Sequence, residues 1–188
     1  MEKRLAKAKN IKAYVGDTVN NNRMPSDFYE TPKFCVYDLL DKVEFEGQFW
    51  ECACGTGNIS DALTDRDRVV ISTDIKDYGY SYQTNVINFL EWDDETDCNI
   101  ITNPPFEKSF EFTLHALNLT SKKVAMFNKL SFLEGQKRRK IFDLNYLENI
   151  LVYSRRLNLK KSNQAGMMAF AWFVFNKNYK GKPSLDWI

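Results

Sequence analysis

Long apolar runs are missing from this chain, and with them goes any membrane-spanning helix, since crossing a bilayer takes about 20 consecutive apolar residues. The basic start, Met1 to Lys12, lacks the apolar stretch of a secretory leader. The sequence therefore predicts a soluble, cytoplasmic protein with no membrane partner. Histidine is nearly absent: His115 is the single one. The four cysteines, Cys35, Cys52, Cys54 and Cys98, do not fall into paired ligand spacing, and one histidine cannot complete a zinc set. No metal centre is expected. Cys52 and Cys54 straddle a single residue in what reads as a tight turn, a poor geometry for a disulfide, so reduced and packed thiols are expected. An excess of either charge is missing too. Twenty-six Lys and Arg against 25 Asp and Glu leave a formal charge of +1, which neither demands nor excludes nucleic acid, so the distribution of charge has to decide.

What is present is a chain of 188 residues with 44% hydrophobic content, enough for one well-filled core and too short for two. Residues 1–24 interleave Lys3, Arg4, Lys7, Lys9 and Lys12 with apolar residues and then break at Asn20-Asn21-Asn22. They read as a basic N-terminal arm, more simply a solvated tail than a phosphate-binding segment. Residues 25–188 read as one catalytic domain. Strands are expected at 48–52, 68–75, 82–87, 99–102, 123–127, 149–153 and 168–175, and helices from Thr31-Pro32 to about Val43, through Ile59 to Leu63, from Ser109 to Leu119 and from Ser131 to Phe142. On the helix from Ser109 to Leu119, Phe110, Leu114 and Leu117 have core spacing. Alternation of strands and helices argues for a mostly parallel α/β sheet with an antiparallel final element.

The chain is organised around Asn99-Ile100-Ile101-Thr102-Asn103-Pro104-Pro105-Phe106. A β-branched run reads as a buried strand, and two prolines end it because they can neither donate to a ladder nor enter a helix interior. Asn103 is left at the strand's carboxyl end, the edge where ligands bind in open α/β sheets. An amide, the carbonyls before rigid prolines and the ring of Phe106 suit a planar substrate bearing an amino group; the alternative is an ordinary turn. Upstream, Glu51-Cys52-Ala53-Cys54-Gly55-Thr56-Gly57 is a strand running through a glycine turn into a helix, which lets a backbone approach a nucleotide-like ligand. Asp74 closes the next strand about twenty residues on, where a carboxylate can accept from both hydroxyls of a ribose. Thr31-Pro32 reads as a hydroxyl N-cap followed by proline at the first helical position.

Together these elements resemble the class I S-adenosylmethionine-dependent amino methyltransferases, especially those acting on N6 of adenine in DNA. The resemblance runs from about Phe28 to Phe175 and rests on four elements in order: Tyr29 to Pro32, Glu51 to Gly57, Asp74, and Asn103 to Phe106. It implies a Rossmann-like seven-stranded methyltransferase fold, mostly parallel, with helices on both faces. It implies Asn103, Pro104, Pro105 and Phe106 as catalytic, and S-adenosyl-L-methionine as cofactor. Tyr29, Thr31 and Pro32 would close over the cofactor's methionine part, and Glu51, Ala53, Cys54, Gly55, Gly57, Asp74 and Ile75 would complete its site. Asn88-Phe89 stands where the family carries Asp-Phe, whose carboxylate accepts from the cofactor's adenine amino group; the Asn88 amide oxygen can accept the same bond. The incomplete three-glycine fingerprint argues against a dinucleotide.

Methyl transfer from a sulfonium to an aromatic amine is an in-line displacement in which the protein positions and polarises. Hydrogen bonds from the amine to Asn103 and to the Pro104 carbonyl would free its delocalised lone pair, and Phe106 would stack on a base drawn out of its helix. Phosphates would meet Lys129, Arg138, Arg139, Arg156, Lys160 and Lys161, although charge runs of this kind are usually solvated surface. The partner implied is nucleic acid, DNA before RNA. Without a sizeable insertion for target recognition, a homodimer or a specificity-giving partner stays open. RNA bases, cytosine N4, protein glutamine, or a non-catalytic nucleic-acid-binding relative are the alternatives.

Overall fold

The computed structural model describes residues 29–159 and 168–188. The basic arm expected over residues 1–24, Phe28, Lys160 and Lys161 lie outside the described residues. Among these residues eight strands form one sheet: β1 (Phe49–Glu51), β2 (Val70–Asp74), β3 (Asn85–Val86), β4 (Asn99–Thr102), β5 (Val124–Lys129), β6 (Leu147–Val152), β7 (Phe170–Phe175) and β8 (Ser184–Trp187). Their order is β3-β2-β1-β4-β5-β7-β6-β8. All neighbours pair in parallel except β7, which runs antiparallel to both β5 and β6. Chain order reverses between β1 and β4, so their carboxyl ends flank the crevice where open α/β sheets hold ligands.

Among the described residues, four α-helices cover the two faces: α1 (Lys33–Lys42), α2 (Asn58–Thr64), α3 (Ser109–Leu119) and α4 (Gln136–Phe142). Phe49, Ile101, Phe127, Leu151 and Trp172 point to one side and pack with Cys35, Val36, Leu39 and Leu63 of α1 and α2. Trp50, Ile100, Met126, Ile150 and Phe173 point to the other and pack with Phe112, Leu117 and Ile141 of α3 and α4. Burial on both faces explains why β7 is apolar throughout and β5 over its first four residues. Each large side chain removed from water here contributes about 1.5–3 kcal/mol. No helix among the described residues is long and apolar enough to cross a membrane.

The mostly parallel α/β sheet is as expected, with one strand more than the seven. β8 joins β6 at the outer edge through main-chain bonds extended by Ile188, whose amide donates to Val152 O (2.9 Å) and whose carbonyl accepts from Ser154 N (3.1 Å). Three local expectations are corrected. Pro32, not Thr31, occupies the N-cap of α1, and the Thr31 hydroxyl makes no capping bond. Residues 131–142 are not one helix: a 3₁₀ turn, Leu130–Leu133, is cut from α4 by Gly135 at φ 98°, which the Ser131 and Glu134 pattern did not disclose. On α3 the bounds hold and Leu117 is buried, but the inward face is rotated to Phe112, Thr113 and Ala116 in place of Phe110 and Leu114.

Candidate active site

β1 delivers Glu51 to the carboxyl edge, and residues 52–57 then turn sharply into α2. Cys54 N donates to Thr73 O (2.9 Å), and Gly57 N donates back to Cys54 O (2.8 Å). Gly55 and Gly57 take φ 54° and 90°. A Cβ at Gly57 would come within 2.2 Å of the Tyr80 ring, which is itself fixed by its hydroxyl donating to Asp61 Oδ1 (2.8 Å). Position 57 therefore has to be glycine for two reasons, its left-handed backbone and the ring beside it.

Two carboxylates frame this turn. Glu51 is fully buried and accepts a short hydrogen bond from Ser60 Oγ, which in turn accepts from Ser72 Oγ (2.7 Å). Burial pushes its carboxyl well above the usual glutamate range, with the Ser60 bond pulling the other way. Asp74, at the end of β2, accepts from Gly55 N (2.8 Å) and so ties the second strand to the glycine turn. Burial raises its carboxyl as well, opposed by the backbone amides of Gly55, Lys76 and Ile75. The four cysteines are free and buried, as expected. His115 sits edge-on to Phe89 (5.0 Å) with Nε2 2.9 Å from Trp92 O.

β4 ends at Thr102 and presents Asn103 beside the same crevice. Asn103 Nδ2 donates to the carbonyl of Tyr29 (2.7 Å). A carbonyl can only accept, so this bond fixes the amide with Oδ1 as its remaining acceptor. The Phe106 ring stacks on Tyr29 (5.5 Å, 23°), lies against Phe170 (5.8 Å) and carries the Lys129 ammonium 4.3 Å from its centroid. At the start of α3, Ser109 Oγ lies 3.1 Å from Phe106 O and 2.6 Å from Asn128 Oδ1, which pins the far end of the loop. The strap 29–31 is tied a second time where Thr56 Oγ1 donates to Glu30 Oε1 (2.6 Å).

Between these elements lies a cleft of about 350 Å³. From the strap it is lined by Tyr29 and Thr31, from the turn by Glu51, Ala53, Cys54 and Gly55, and from the end of β2 by Asp74 and Ile75. Asn88, Phe89, Asn103 and Pro105 line it as well. Four expected residues do not: Pro32 caps α1, Gly57 faces Tyr80, Pro104 is buried, and Phe106 is covered by Tyr29 and Phe170. Glu30, Thr56, Asn58, Lys76, Tyr78, Lys108 and Phe112 also line the cleft and were not anticipated. Glu30 and Thr56 lie inside quoted motifs and Asn58, Lys76 and Lys108 one or two residues past one, so position in or beside a motif was the available signal; Phe112 needed the true rotation of α3.

Asn88, two residues past β3, also serves its own backbone. Its Oδ1 accepts from Leu90 N (3.3 Å), capping the 3₁₀ turn Phe89–Glu91. Thr31 Oγ1 is buried at the cleft with no hydrogen-bond partner among the described residues, an orphaned polar atom beside the first-turn amides of α1, whose helical acceptors do not exist.

The basic residues divide. Lys129 ends β5, and Arg156 follows β6, which runs parallel to β5, so both stand at the carboxyl edge with Asn103. Arg139 lies on the exposed side of α4 beside Asp143 (3.4 Å). Arg138 is tied up internally, its Nη1 donating to Ser131 O (2.6 Å) and Glu134 O (2.7 Å).

No protein-family model matches the chain, and no curated protein does. Solved structures do. A modification subunit of a putative type I restriction enzyme from Vibrio vulnificus superimposes with a TM-score of 0.58 at 14% identity over 98% of this chain and 50% of its own. A putative RNA methyltransferase from Pyrococcus horikoshii gives 0.60 at 14% identity over 90% of this chain and 98% of its own. A putative class I S-adenosylmethionine-dependent methyltransferase from Listeria monocytogenes gives 0.55 at 13% over 97% and 72%. The chain thus spans half the length of the Vibrio subunit. With its switch point, glycine turn and single antiparallel strand, it has the fold of the S-adenosylmethionine-dependent methyltransferases.

Proposed function

We propose that this chain is an S-adenosylmethionine-dependent methyltransferase acting on an exocyclic amine of a nucleic-acid base, with N6 of adenine in DNA as the preferred acceptor. The observation that carries the reading is Asn103 at the switch-point crevice, its amide oriented by the Tyr29 carbonyl so that Oδ1 is the acceptor left for an amine. The residues present suit the cofactor. Thr31 Oγ1, a buried hydroxyl lacking a partner, and the first-turn amides of α1 would hold its carboxylate; Asp74 would hold its ribose; the glycine turn admits it closely. When bound, S-adenosylmethionine would supply an electrophilic methyl group on a sulfonium.

The chain's own part is electrostatic. An amine conjugated to a purine is a weak nucleophile, and Asn103 Oδ1 with the Pro104 carbonyl would accept its two N–H bonds, favouring a tetrahedral nitrogen and stabilising the positive charge that develops there. Neutral acceptors do not take the proton, which leaves to water after transfer. Phe106 is covered by Tyr29 and Phe170, so stacking of a base on it would require the Tyr29 ring to swing aside, and Lys129 and Arg156 would meet phosphates at the same edge. Neighbours of this fold include a restriction-enzyme modification subunit and an RNA methyltransferase, so the test must include both nucleic acids.

The test incubates the protein with methyl-labelled cofactor and a panel of duplex DNA, single-stranded DNA, RNA and a glutamine peptide, followed by nucleoside and amino-acid analysis. N6-methyldeoxyadenosine is the expected product. Label confined to ribonucleosides or to peptide would reassign the acceptor, and no transfer together with no cofactor binding would overturn the proposal.

A further inference from the structure

We propose that the Tyr29 ring is a placeholder for the acceptor base: in the free protein it holds the face of Phe106 that the base takes, and the base binds by exchanging with it. The inference rests on the acceptor reading above. Tyr29 lines the cleft and Phe106 does not, the Tyr29 ring being stacked on it at 5.5 Å between centroids and 23° between planes. That spacing is one of direct ring contact, so no third ring fits between the two. Phe170, 5.8 Å away, and the Lys129 ammonium, 4.3 Å from the centroid, also pack on Phe106. Phe170 is fixed, 5% exposed and stacked in turn on Phe127 (5.4 Å, 3°). Of these three neighbours Tyr29 alone lines the cleft, so its ring is the one that a ligand entering there meets.

The ring can leave without disturbing the amide that faces the amine. Tyr29 O accepts from Asn103 Nδ2 (2.7 Å), Glu30 Oε1 accepts from Thr56 Oγ1 (2.6 Å), and Thr31 is buried at 2% exposure. These anchors hold the main chain on the carbonyl side of the Tyr29 Cα. The half-buried ring turns about its own side-chain bonds, which needs no main-chain movement. A purine offers Phe106 the same kind of contact as the tyrosine ring, face on face. What the base gains is therefore reduced by the Tyr29 stack that it undoes, and the cost falls on affinity for the acceptor.

Calorimetric titration of a single-stranded, adenine-rich oligodeoxynucleotide into protein saturated with S-adenosylhomocysteine tests this. It compares wild type with Tyr29→Phe, Tyr29→Leu, Phe106→Leu and the double variant, each shown to be folded by thermal unfolding. Tyr29→Phe keeps a flat ring and is expected to bind as wild type does. Tyr29→Leu keeps bulk and the main-chain carbonyl but loses the stacking ring, and is expected to bind about two- to tenfold more tightly. In Phe106→Leu the contested face is gone, so adding Tyr29→Leu should bring no gain. Tyr29→Val takes the place of Tyr29→Leu if the latter does not fold. Unchanged or weaker binding by the folded variant, or a gain that persists without Phe106, overturns the inference while the acceptor reading stands; weaker binding would make the ring a part of the base's own site. If folded wild type does not bind the oligonucleotide at all, both fall.

Discussion

Asn103 and Glu51 are both polar residues at strand ends, yet they make opposite demands on the protein. Asn103 is expected to matter for chemistry and little for affinity. In Asn103→Ala, S-adenosylhomocysteine should bind within about threefold of wild type while kcat falls by about 100-fold or more, the scale on which a lost transition-state acceptor or donor registers; equal activity would place the site elsewhere. Glu51 costs stability instead. Its folded-state pKa stands above its unfolded value, so the folded chain keeps a proton that the unfolded chain releases. Its contribution is fully present below the ordinary glutamate pKa of about 4.5 and is lost as pH rises from there towards the raised folded value. Asp74 is shifted the same way and adds to the slope. Glu51→Gln keeps an acceptor for Ser60 and removes the titration, so its thermal stability relative to wild type is expected to increase as pH rises above the ordinary glutamate range. A difference independent of pH would show that the carboxyl does not hold its proton on folding.

The elements divide by how local their determinants are. The limits of α3 and β4 were legible because a sustained helical pattern and a β-branched run stopped by two prolines are local signals. The break before α4 was not, because the carbonyls of Ser131 and Glu134 are taken by Arg138 and the chain turns at Gly135, a solution no capping pattern announces. β8 was missed for the opposite reason: Ser184–Trp187 is a strand only because β6, 35 residues earlier, offers it an edge, as the bond between Asn149 and Ser184 (2.9 Å) marks. Helix α1 is fastened to the sheet by its Cys35 carbonyl, which accepts from Trp172 Nε1 (2.8 Å) and Tyr153 OH (3.1 Å). Trp172→Phe removes one donor and opens a void in a fully buried site, so chemical denaturation should show a loss of about 2–4 kcal/mol. A loss under 1 kcal/mol would mean that α1 is held by packing alone.

Across the whole molecule, binding in the crevice links the strap, both carboxylate strands and the Asn103 loop, so ligand occupancy should be visible as global stability. S-adenosylhomocysteine at 100 times its Kd is expected to add about 2.7 kcal/mol, a rise of about 5–10 °C in Tm for a domain of this size, and an unchanged Tm at that excess would exclude binding. The motifs of the crevice were readable in the sequence, but the joints between them were not. Thr56 with Glu30 and Asn103 with Tyr29 lie 26 and 74 residues apart, and pairings of that range follow from topology. The second of these joints ends on a peptide group. Since no replacement of the Tyr29 side chain deletes a main-chain oxygen, an alanine survey would pass over the acceptor that aims Asn103, and drift at position 29 can proceed with that aim preserved. Only an edit to the backbone itself, such as removal of one residue that shifts the strap's phase, would reach it.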